Sequence, residues 1–299
     1  FLEKSGGPGA SPFWDLPLTR PQGLNQVVFA PHWYPDIYPR PGINSPPREF
    51  NADEWIYRDF TEPLEKYLHQ GPTWMGNVPV IFGEFGTYFN FGGIETSADN
   101  NYRTSSHVLD SYYRAFEELN TGSMLWCFSA HNDDDYGELW NKEDFSIIGP
   151  GQVDTSIAQT PDTVDPDVAP EERPVRSATA FVRPYARATS GKQVHQRFIS
   201  EHEYWDPVEG IHRPERTYSL DMETYETEAP TVLFVPELQY PDGFYVWLSD
   251  GSAFYDDSRQ LLYWYPSRDI PGELHHLRIE PVLEDKEALG WSYYFQDGQ

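Results

Sequence analysis

Three short apolar runs, separated by helical patterns, constrain this chain more than any other feature of its sequence. The runs are apolar throughout, which is typical of strands buried on both faces, and they lie at 27–30, 78–82 and 123–128. Apolar residues at helical spacing follow each run, and these segments lie at 53–69, 99–120 and 178–188. Pro184 is expected to bend or end the last of these helices. Alternation of strand and helix predicts a parallel sheet covered by helices.

Polar and aromatic side chains follow the predicted strands directly. His32 and Tyr34 come after the first strand, Glu84 after the second, and Ser129 after the third. In a (β/α)8 barrel the carboxyl ends of the strands form the active-site face. We therefore expect these side chains to lie together at one edge of the sheet.

The pattern changes after Gly191. Short strand-like runs are separated there by Asp-Gly and similar turns, and the clearest runs lie at 232–235, 244–248 and 261–265. No long helical period appears, so this part is predicted to be an antiparallel β-sandwich. At roughly 150 residues per domain, a chain of this length fits two domains. We place them at 1–191 and 192–299.

The charge of the chain excludes several classes of partner. There are 21 basic and 48 acidic residues among the 299, a formal net charge of −27. Nucleic acid and anionic membrane surfaces both need a basic face, so neither is expected as a partner. No apolar run approaches the length of about 18 residues that a membrane-spanning helix needs. The acidity fits a surface adapted to high salt and an ordinary acidic protein equally well.

Glu84 is the strongest candidate for chemistry. It directly follows a predicted buried strand and is flanked by Gly83 and Gly86, which leave room around the backbone. A carboxylate in such a place can act as a nucleophile or general base. The alternative is a carboxylate that caps a helix or belongs to a loop.

His32, Tyr34 and Trp126 are the next candidates. His32 and Tyr34 are two positions apart at the end of one strand, so their side chains project the same way. The tyrosine hydroxyl could orient a nucleophilic carboxylate, and the histidine could contact sugar hydroxyls. The indole of Trp126 could stack on a pyranose ring. Structural roles remain open for all three, core packing above all for the tryptophan.

Metal and cofactor sites have little support in the sequence. Asn132 and the acidic residues at 133–135, with Glu138 and Asp144, invite a calcium interpretation. If Asp133 is the first ligand, however, Gly137 falls where the EF-hand spacing needs another one. A solvated acidic loop is the better interpretation. Cys127 is the single cysteine and the histidines are scattered, so neither a disulfide nor a zinc site is expected. We expect no metal ion and no cofactor.

Together these segments resemble glycoside hydrolase family 5. The motifs that carry the resemblance are APHWY at 30–34, VIFGEFG at 80–86, LWCFS at 125–129, WNKEDFSI at 140–147 and RPYARATSG at 183–191. The third and fourth are similar to the strand-eight region of the endoglycoceramidase, glucosylceramidase and steryl-glucosidase branch. The resemblance implies the C-terminal part of a (β/α)8 TIM barrel, about strands five to eight, followed by an antiparallel β-sandwich.

The resemblance also implies roles for individual residues. Retaining enzymes of this kind use two carboxylates about 5–5.5 Å apart. Glu84 matches the nucleophile, and Tyr34 matches the residue that orients it. The residues that match substrate contacts are His32, Trp126, Asn132, Trp140 and Glu143. If another carboxylate attacks instead, Glu143 and Asp144 are the next candidates.

The second carboxylate of the family is the Glu of an Asn-Glu pair that ends strand four. No Asn-Glu dipeptide occurs in this sequence. The family pattern places the first residues near strand five, so strands one to four and the acid/base are expected upstream, and this stretch alone would lack them.

Three functions remain open at this point. The first is a retaining β-glycosidase that acts on glucosylated lipids of the glucosylceramide or steryl glucoside type. The second is a β-1,4-glucanase or mannanase of the same family. The third is a carbohydrate-binding protein without catalysis. In each case the expected partner is a β-glycoside, as a glycolipid or an oligosaccharide.

Overall fold

The computed structural model describes residues 2–6, 18–35, 60–91, 93–99, 101–129, 143–148, 175–200, 204–206, 210–225, 227–267, 274–283 and 290–295. The chain divides into two compact units, Phe1–Ala178 and Thr179–Gln299. The division falls thirteen residues before the predicted boundary at 191.

A four-stranded parallel sheet forms the centre of the first unit. Its strands, in spatial order, are β1 (Leu2–Gly6), β2 (Phe29–Trp33), β3 (Ile81–Gly86) and β4 (Gly122–Trp126). Every neighbouring pair is parallel. The three predicted strands are therefore confirmed as adjacent and parallel, although β2 and β3 extend further toward their carboxyl ends than predicted.

Helix α1 (Glu62–Met75) connects β2 and β3, and it differs from the prediction at its end. The predicted helix ends at His69, whereas the observed one continues to Met75. Pro63 lies in the first turn, where its missing N–H costs nothing. The continuation is explained by packing: a Cβ on the buried Gly71 would meet the Phe29 ring at 2.6 Å, so the glycine lets helix and strand approach closely.

The helix predicted over 99–120 is α3 (Arg103–Glu118), and a short helix that was not predicted, α2 (Ile94–Asp99), precedes it. Asn101 and Tyr102 between them have φ values of 53° and 55°, and this left-handed conformation interrupts the helix. The buried side of α3 includes Leu109, Tyr112 and Phe116, which recur at the predicted helical spacing.

Aromatic side chains dominate the core of the first unit. Tyr112 contacts Trp33, Phe60 and Phe85, with ring centroids 4.9–5.6 Å apart. Its buried hydroxyl donates a hydrogen bond of 3.1 Å to the carbonyl of Trp33. A large aromatic side chain stabilises the fold by about 1.5–3 kcal/mol when it is fully buried. Helix α3 is thus held against β2 and β3, the two strands that carry the candidate site.

The second unit contains two antiparallel sheets that share a hydrophobic core, as the sequence predicts for a β-sandwich. The four-stranded sheet has the order β12-β13-β10-β5 and the five-stranded sheet the order β15-β11-β14-β9-β6. Their strands are β5 (Tyr185–Ala188), β6 (Gly191–Ile199), β9 (Thr217–Thr224), β10 (Thr231–Phe234), β11 (Phe244–Leu248), β12 (Ser252–Asp256), β13 (Leu261–Tyr265), β14 (Leu274–Pro281) and β15 (Tyr293–Phe295). A separate hairpin consists of β7 (Tyr204–Asp206) and β8 (Ile211–Arg213).

The helix predicted over 178–188 is wrong beyond its first turn. Helix α4 covers only Ala178–Phe181, and β5 begins at Tyr185. Pro184 fixes its own φ and has no N–H to donate, so it ends the helix. The next residues then pair antiparallel with β10, with Tyr185 opposite Phe234. This pairing places β5 in the second unit.

Candidate active site

Glu84 lies on β3 near the carboxyl end of the parallel sheet. It is opposite His32 of β2 in the register of the two strands. The neighbours of Glu84 along β3, Phe82 and Phe85, are 0% and 1% exposed, so the strand is firmly fixed in the core. Its own side chain is 26% exposed. The carboxylate is therefore anchored by a rigid strand yet reachable from solvent.

Both oxygens of this carboxylate have a neighbour from β2 or the residue just after it. The Tyr34 hydroxyl donates a hydrogen bond of 2.9 Å to Oε1 of Glu84. The Nδ1 atom of His32 lies 3.4 Å from Oε2. The predicted contact between Tyr34 and Glu84 is thus present, and His32 joins it. Such contacts hold the carboxylate in one orientation, which a nucleophile needs.

The ring of Tyr34 is supported from one side by Phe145. The two rings meet edge to face, with centroids 5.7 Å apart, and Tyr88 meets Phe145 in the same manner at 5.5 Å. Edge-to-face pairs of this kind are worth about 0.5–1.5 kcal/mol beyond the area that they bury. Phe145 therefore limits the positions that the Tyr34 hydroxyl can take.

A buried ion pair fixes the segment that carries Phe145. Arg176 binds Asp144 through two hydrogen bonds, of 2.6 Å to Oδ1 and 3.2 Å to Oδ2. It also donates to the carbonyl of Ser146 at 3.1 Å through Nε, and its guanidinium lies 4.1 Å from the centre of the Phe89 ring. Asp144 and Arg176 are 5% and 3% exposed.

This arrangement excludes one of the candidate carboxylates, Asp144. Both oxygens of Asp144 are engaged by Arg176 and withdrawn from solvent. Asp144 is therefore unsuited to attack a substrate, whereas the carboxylate of Glu84 is accessible.

Tyr88 lies on the far side of Phe145. Burial raises the pKa of the Tyr88 hydroxyl, and the negative charges of Asp144 and Glu143 raise that pKa further. At neutral pH the hydroxyl therefore stays protonated and can donate a hydrogen bond.

Trp126 ends β4, and it lies opposite Gly86 in the register of β3 and β4. A Cβ on Gly86 would collide with the carbonyl oxygen of Trp126, so this glycine is required for the close approach of the strands. The peptide bond between Trp126 and Cys127 is cis. Trp126 is half-buried, at the same end of the sheet as Glu84.

Two predicted site residues, Asn132 and Trp140, lie outside the described residues. Three residues of the site were not predicted: Tyr88, Phe145 and Arg176. Arg176 gave no signal of its own, because its contact with Asp144 joins segments 32 positions apart in the sequence. Phe145 lies within the WNKEDFSI motif at 140–147, but no role was predicted for it. Tyr88 lies four residues after Glu84, and its position just beyond a strand end was the signal that could have found it.

Within the described ranges, no group of three or more His, Cys, Asp or Glu side chains is placed to hold a metal ion. The helices in those ranges are also too short or too polar to cross a membrane.

Comparison with known proteins supports the resemblance to glycoside hydrolase family 5 that the sequence motifs indicate. Residues 183–279 match the glycoside hydrolase family 5 C-terminal domain. A glucosylceramidase of Rhizopus delemar is 25% identical over 139 residues, which cover 41% of this chain and 20% of that protein. An ergosteryl-beta-glucosidase of Saccharomyces cerevisiae is 37% identical over 73 residues, which cover 24% of this chain and 10% of that protein.

A solved structure shows the same fold. Sterylglucosidase 1 of Cryptococcus neoformans superposes with a TM-score of 0.59 at 18% identity, over 76% of this chain and 32% of that one. The chain thus spans about a third or less of these relatives. The resemblance to glycoside hydrolase family 5, in the branch that contains glucosylceramidases and steryl glucosidases, is confirmed.

Proposed function

We propose that this chain, with its confirmed resemblance to glycoside hydrolase family 5, is the C-terminal part of a retaining β-glycoside hydrolase. Glu84 is its nucleophile. The observation that carries the proposal is the hydrogen bond from Tyr34 to Glu84, with His32 beside it, at the carboxyl end of a parallel sheet. A partly exposed carboxylate that is oriented by a tyrosine at the end of the neighbouring strand is suited to attack an anomeric carbon.

The reaction has two steps. An oxygen of Glu84 attacks the anomeric carbon and forms an ester bond, while the bond to the aglycone breaks and the leaving oxygen takes a proton from a second carboxylic acid. Water then attacks the same carbon and releases Glu84, and the second carboxylate accepts the proton of that water. Tyr34 holds the attacking carboxylate, and His32 and Trp126 contact the sugar.

The second carboxylate is proposed to lie outside these 299 residues. The family takes it from an Asn-Glu pair, which the sequence does not contain. In this proposal β1 to β4 are strands five to eight of a (β/α)8 barrel, and the antiparallel sheets are the C-terminal β-sandwich domain.

The proposed substrate is a glucosylated lipid. Support comes from the relatives, whose names specify glucosylceramide and ergosteryl β-glucoside hydrolysis. The structural likeness to a sterylglucosidase concerns the fold, and it agrees with this assignment.

The decisive experiment is to trap the intermediate. A longer chain that supplies the acid/base is incubated with a fluorinated β-glucoside, whose glycosyl-enzyme breaks down slowly, and the labelled peptide is identified by mass spectrometry. The expected label is one fluorinated glucosyl group, bound as an ester to Glu84. A label on another carboxylate would overturn the assignment of the nucleophile.

The substrate class is tested with the same chain. Release of glucose from glucosylceramide and from a steryl glucoside is compared with cleavage of cello- and manno-oligosaccharides. Faster turnover of the lipid substrates supports the proposal. Preference for the oligosaccharides would identify a glucanase or mannanase, and absence of turnover with all four would leave a carbohydrate-binding role.

A further inference from the structure

A cluster of aromatic side chains covers part of the outer face of the five-stranded sheet, within the second unit. We call it the Trp291 patch and define it by Tyr245, Trp247, Arg278, Trp291 and Tyr294. Phe244 and Val246, the alternate residues of β11, are 3% and 0% exposed. Because side chains alternate along a strand, Tyr245 and Trp247 face outward.

The members of the patch form one continuous surface. Tyr245 contacts both Tyr294 and Trp291, with ring centroids 5.0 and 5.7 Å away. Tyr245 also lies 6.2 Å from Trp247, whose ring is covered by the Arg278 guanidinium at 4.4 Å. Trp291 and Tyr294 remain 44% and 38% exposed.

The backbone next to the exposed tryptophan is hydrogen-bonded to β11. Ser292, the next residue, donates its backbone N–H to the carbonyl of Val246 at 2.8 Å. The side-chain oxygen of Ser292 accepts the N–H of Leu248 at 3.1 Å. Trp291 is thereby tied to β11 before any ligand arrives. A preordered surface loses little conformational entropy on binding.

A contiguous exposed aromatic surface on a soluble domain marks an interaction site. Tryptophan, tyrosine and arginine are also the residue types that contribute most binding energy at recognition surfaces. A purely structural role is served by the cross-strand pair of Tyr245 and Tyr294, which adds to sheet stability. It does not account for the exposed indole of Trp291.

The composition of the patch identifies the ligand chemistry. Each of the four rings has an apolar face and one polar group at its edge, an indole N–H or a phenol O–H. The patch has no aliphatic side chain, which a hydrocarbon-binding surface would use. A ligand that matches has apolar C–H faces and hydroxyls on its rim, as β-linked hexopyranoses do. The net charge of −27 repels anions, and the Arg278 guanidinium within the patch disfavours a cation there, so the matching ligand is neutral.

We propose that the Trp291 patch binds a neutral β-linked glucan chain. Its binding is independent of the carboxylate site in the first unit and does not require catalysis. The inference therefore stands whether or not Glu84 is a nucleophile.

The test is calorimetric titration of the 299-residue chain with cellohexaose and laminarihexaose, two neutral β-linked glucans. We expect at least one of them to bind. Trp291→Ala should weaken binding about tenfold or more, because it removes the main stacking surface. Trp291→Tyr should restore most of the affinity, since it keeps an aromatic face and a polar edge. Thermal melting of each variant shows that it is folded.

Two matched controls locate the site. Phe254→Ala removes an aromatic side chain that is 61% exposed on the four-stranded sheet of the same unit, and it should leave the affinity unchanged. Tyr265→Ala removes a second aromatic side chain of that sheet, 45% exposed, and it should also leave the affinity unchanged. The proposal is overturned if neither oligosaccharide binds, or if Trp291→Ala keeps the affinity of the parent chain. Binding to neutral phosphatidylcholine vesicles with no oligosaccharide binding would overturn it too and identify a lipid surface as the ligand.

Discussion

Tyr34 and Glu84 are joined by a hydrogen bond of 2.9 Å between the tyrosine hydroxyl and Oε1 of the glutamate. The two residues are fifty positions apart in the sequence, and the parallel pairing of β2 and β3 brings them together. Phe145 packs against the tyrosine ring from the segment that Arg176 fixes. The orientation of the carboxylate is therefore determined by contacts from three separate parts of the first unit.

Glu84→Gln should abolish catalysis in a longer chain that supplies the acid/base. The amide cannot form the ester with the anomeric carbon, so kcat should fall by several orders of magnitude while KM changes little. The measurement is steady-state turnover of an aryl β-glucoside with an activated leaving group. Retained turnover would show that another carboxylate attacks, and Glu143 would be the next candidate because Asp144 is engaged by Arg176.

Tyr34→Phe should cost less than the loss of the nucleophile. It removes one hydrogen bond to a carboxylate, worth about 1.5–3 kcal/mol, which corresponds to a loss in kcat of about ten- to a hundredfold. The aromatic contact with Phe145 is kept, so the variant should remain folded at the assay temperature, which thermal melting checks. Tyr67→Phe is a suitable control, since Tyr67 lies on helix α1 and packs on Phe82. An equal loss in both variants would show that the contact with Glu84 is not the cause.

Arg176→Met should destabilise the first unit strongly. The substitution leaves the carboxylate of Asp144 buried without its partner, which costs about 3–5 kcal/mol. The double variant Arg176→Met/Asp144→Leu should recover much of this loss, because no uncompensated charge remains. Denaturant unfolding measured for the single and double variants separates the two effects.

Arg259→Met serves as the comparison for that series. Arg259 pairs with Asp256 across 3.7 Å, and its side chain is 70% exposed. An exposed pair contributes at most about 1 kcal/mol. If Arg176→Met were no more destabilising than Arg259→Met, the buried pair would not hold the segment that carries Phe145.

Gly86→Ala should separate β3 from β4 locally. The added Cβ collides with the backbone carbonyl of Trp126, which cannot move without disturbing the strand pairing, so we expect a loss of about 1–3 kcal/mol in unfolding free energy. Gly122→Ala is the matched control in the same pair of strands, because its Cβ meets only side-chain atoms, Cγ1 and Cδ1 of Ile81, at 3.2 and 3.3 Å. Equal losses would refute the steric explanation.

The sequence was sufficient to predict the parallel strands and the candidate site residues at their carboxyl ends. The run at 27–30 is largely buried, as predicted, whereas the runs at 78–82 and 123–128 are partly exposed, Met124 by 43%. Their apolar composition still identifies all three as strands without knowledge of their neighbours, and Glu84 follows the second run closely. The pairing of His32 and Tyr34 with Glu84 then follows from parallel neighbours whose carboxyl ends lie at one edge. This local logic explains why the central contact of the site was predictable.

The remaining features depend on partners that are distant in sequence. Strand β5 forms because it pairs with β10, and its own residues resemble the end of a helix. Arg176 and Asp144 are 32 positions apart, and neither has a local pattern that identifies the other. The extension of α1 to Met75 depends on the fit of Gly71 against Phe29. In each case tertiary packing decides between conformations that local propensity leaves nearly equal.

Acid should weaken the second unit through Asp250. Burial of this carboxyl raises its pKa. Hydrogen bonds from the Ser249 hydroxyl, the Ser267 backbone and His275 together lower the pKa by more than burial raises it, so it lies below its ordinary value. The distance from His275 Nδ1 to Asp250 Oδ2 is 2.6 Å. A carboxyl whose pKa is lower in the folded state contributes stability that is present above its unfolded pKa and is lost as the pH falls through the folded value. The unfolding free energy should therefore lose this contribution below about pH 4.

Asp250→Asn should be less stable than the parent chain at pH 7, and the difference should shrink as the pH is lowered. Asp242→Asn, at an exposed turn position, controls for the change in net charge. The measurement is denaturant unfolding at several pH values, and a difference between Asp250→Asn and the parent chain that stays constant with pH would contradict the assignment.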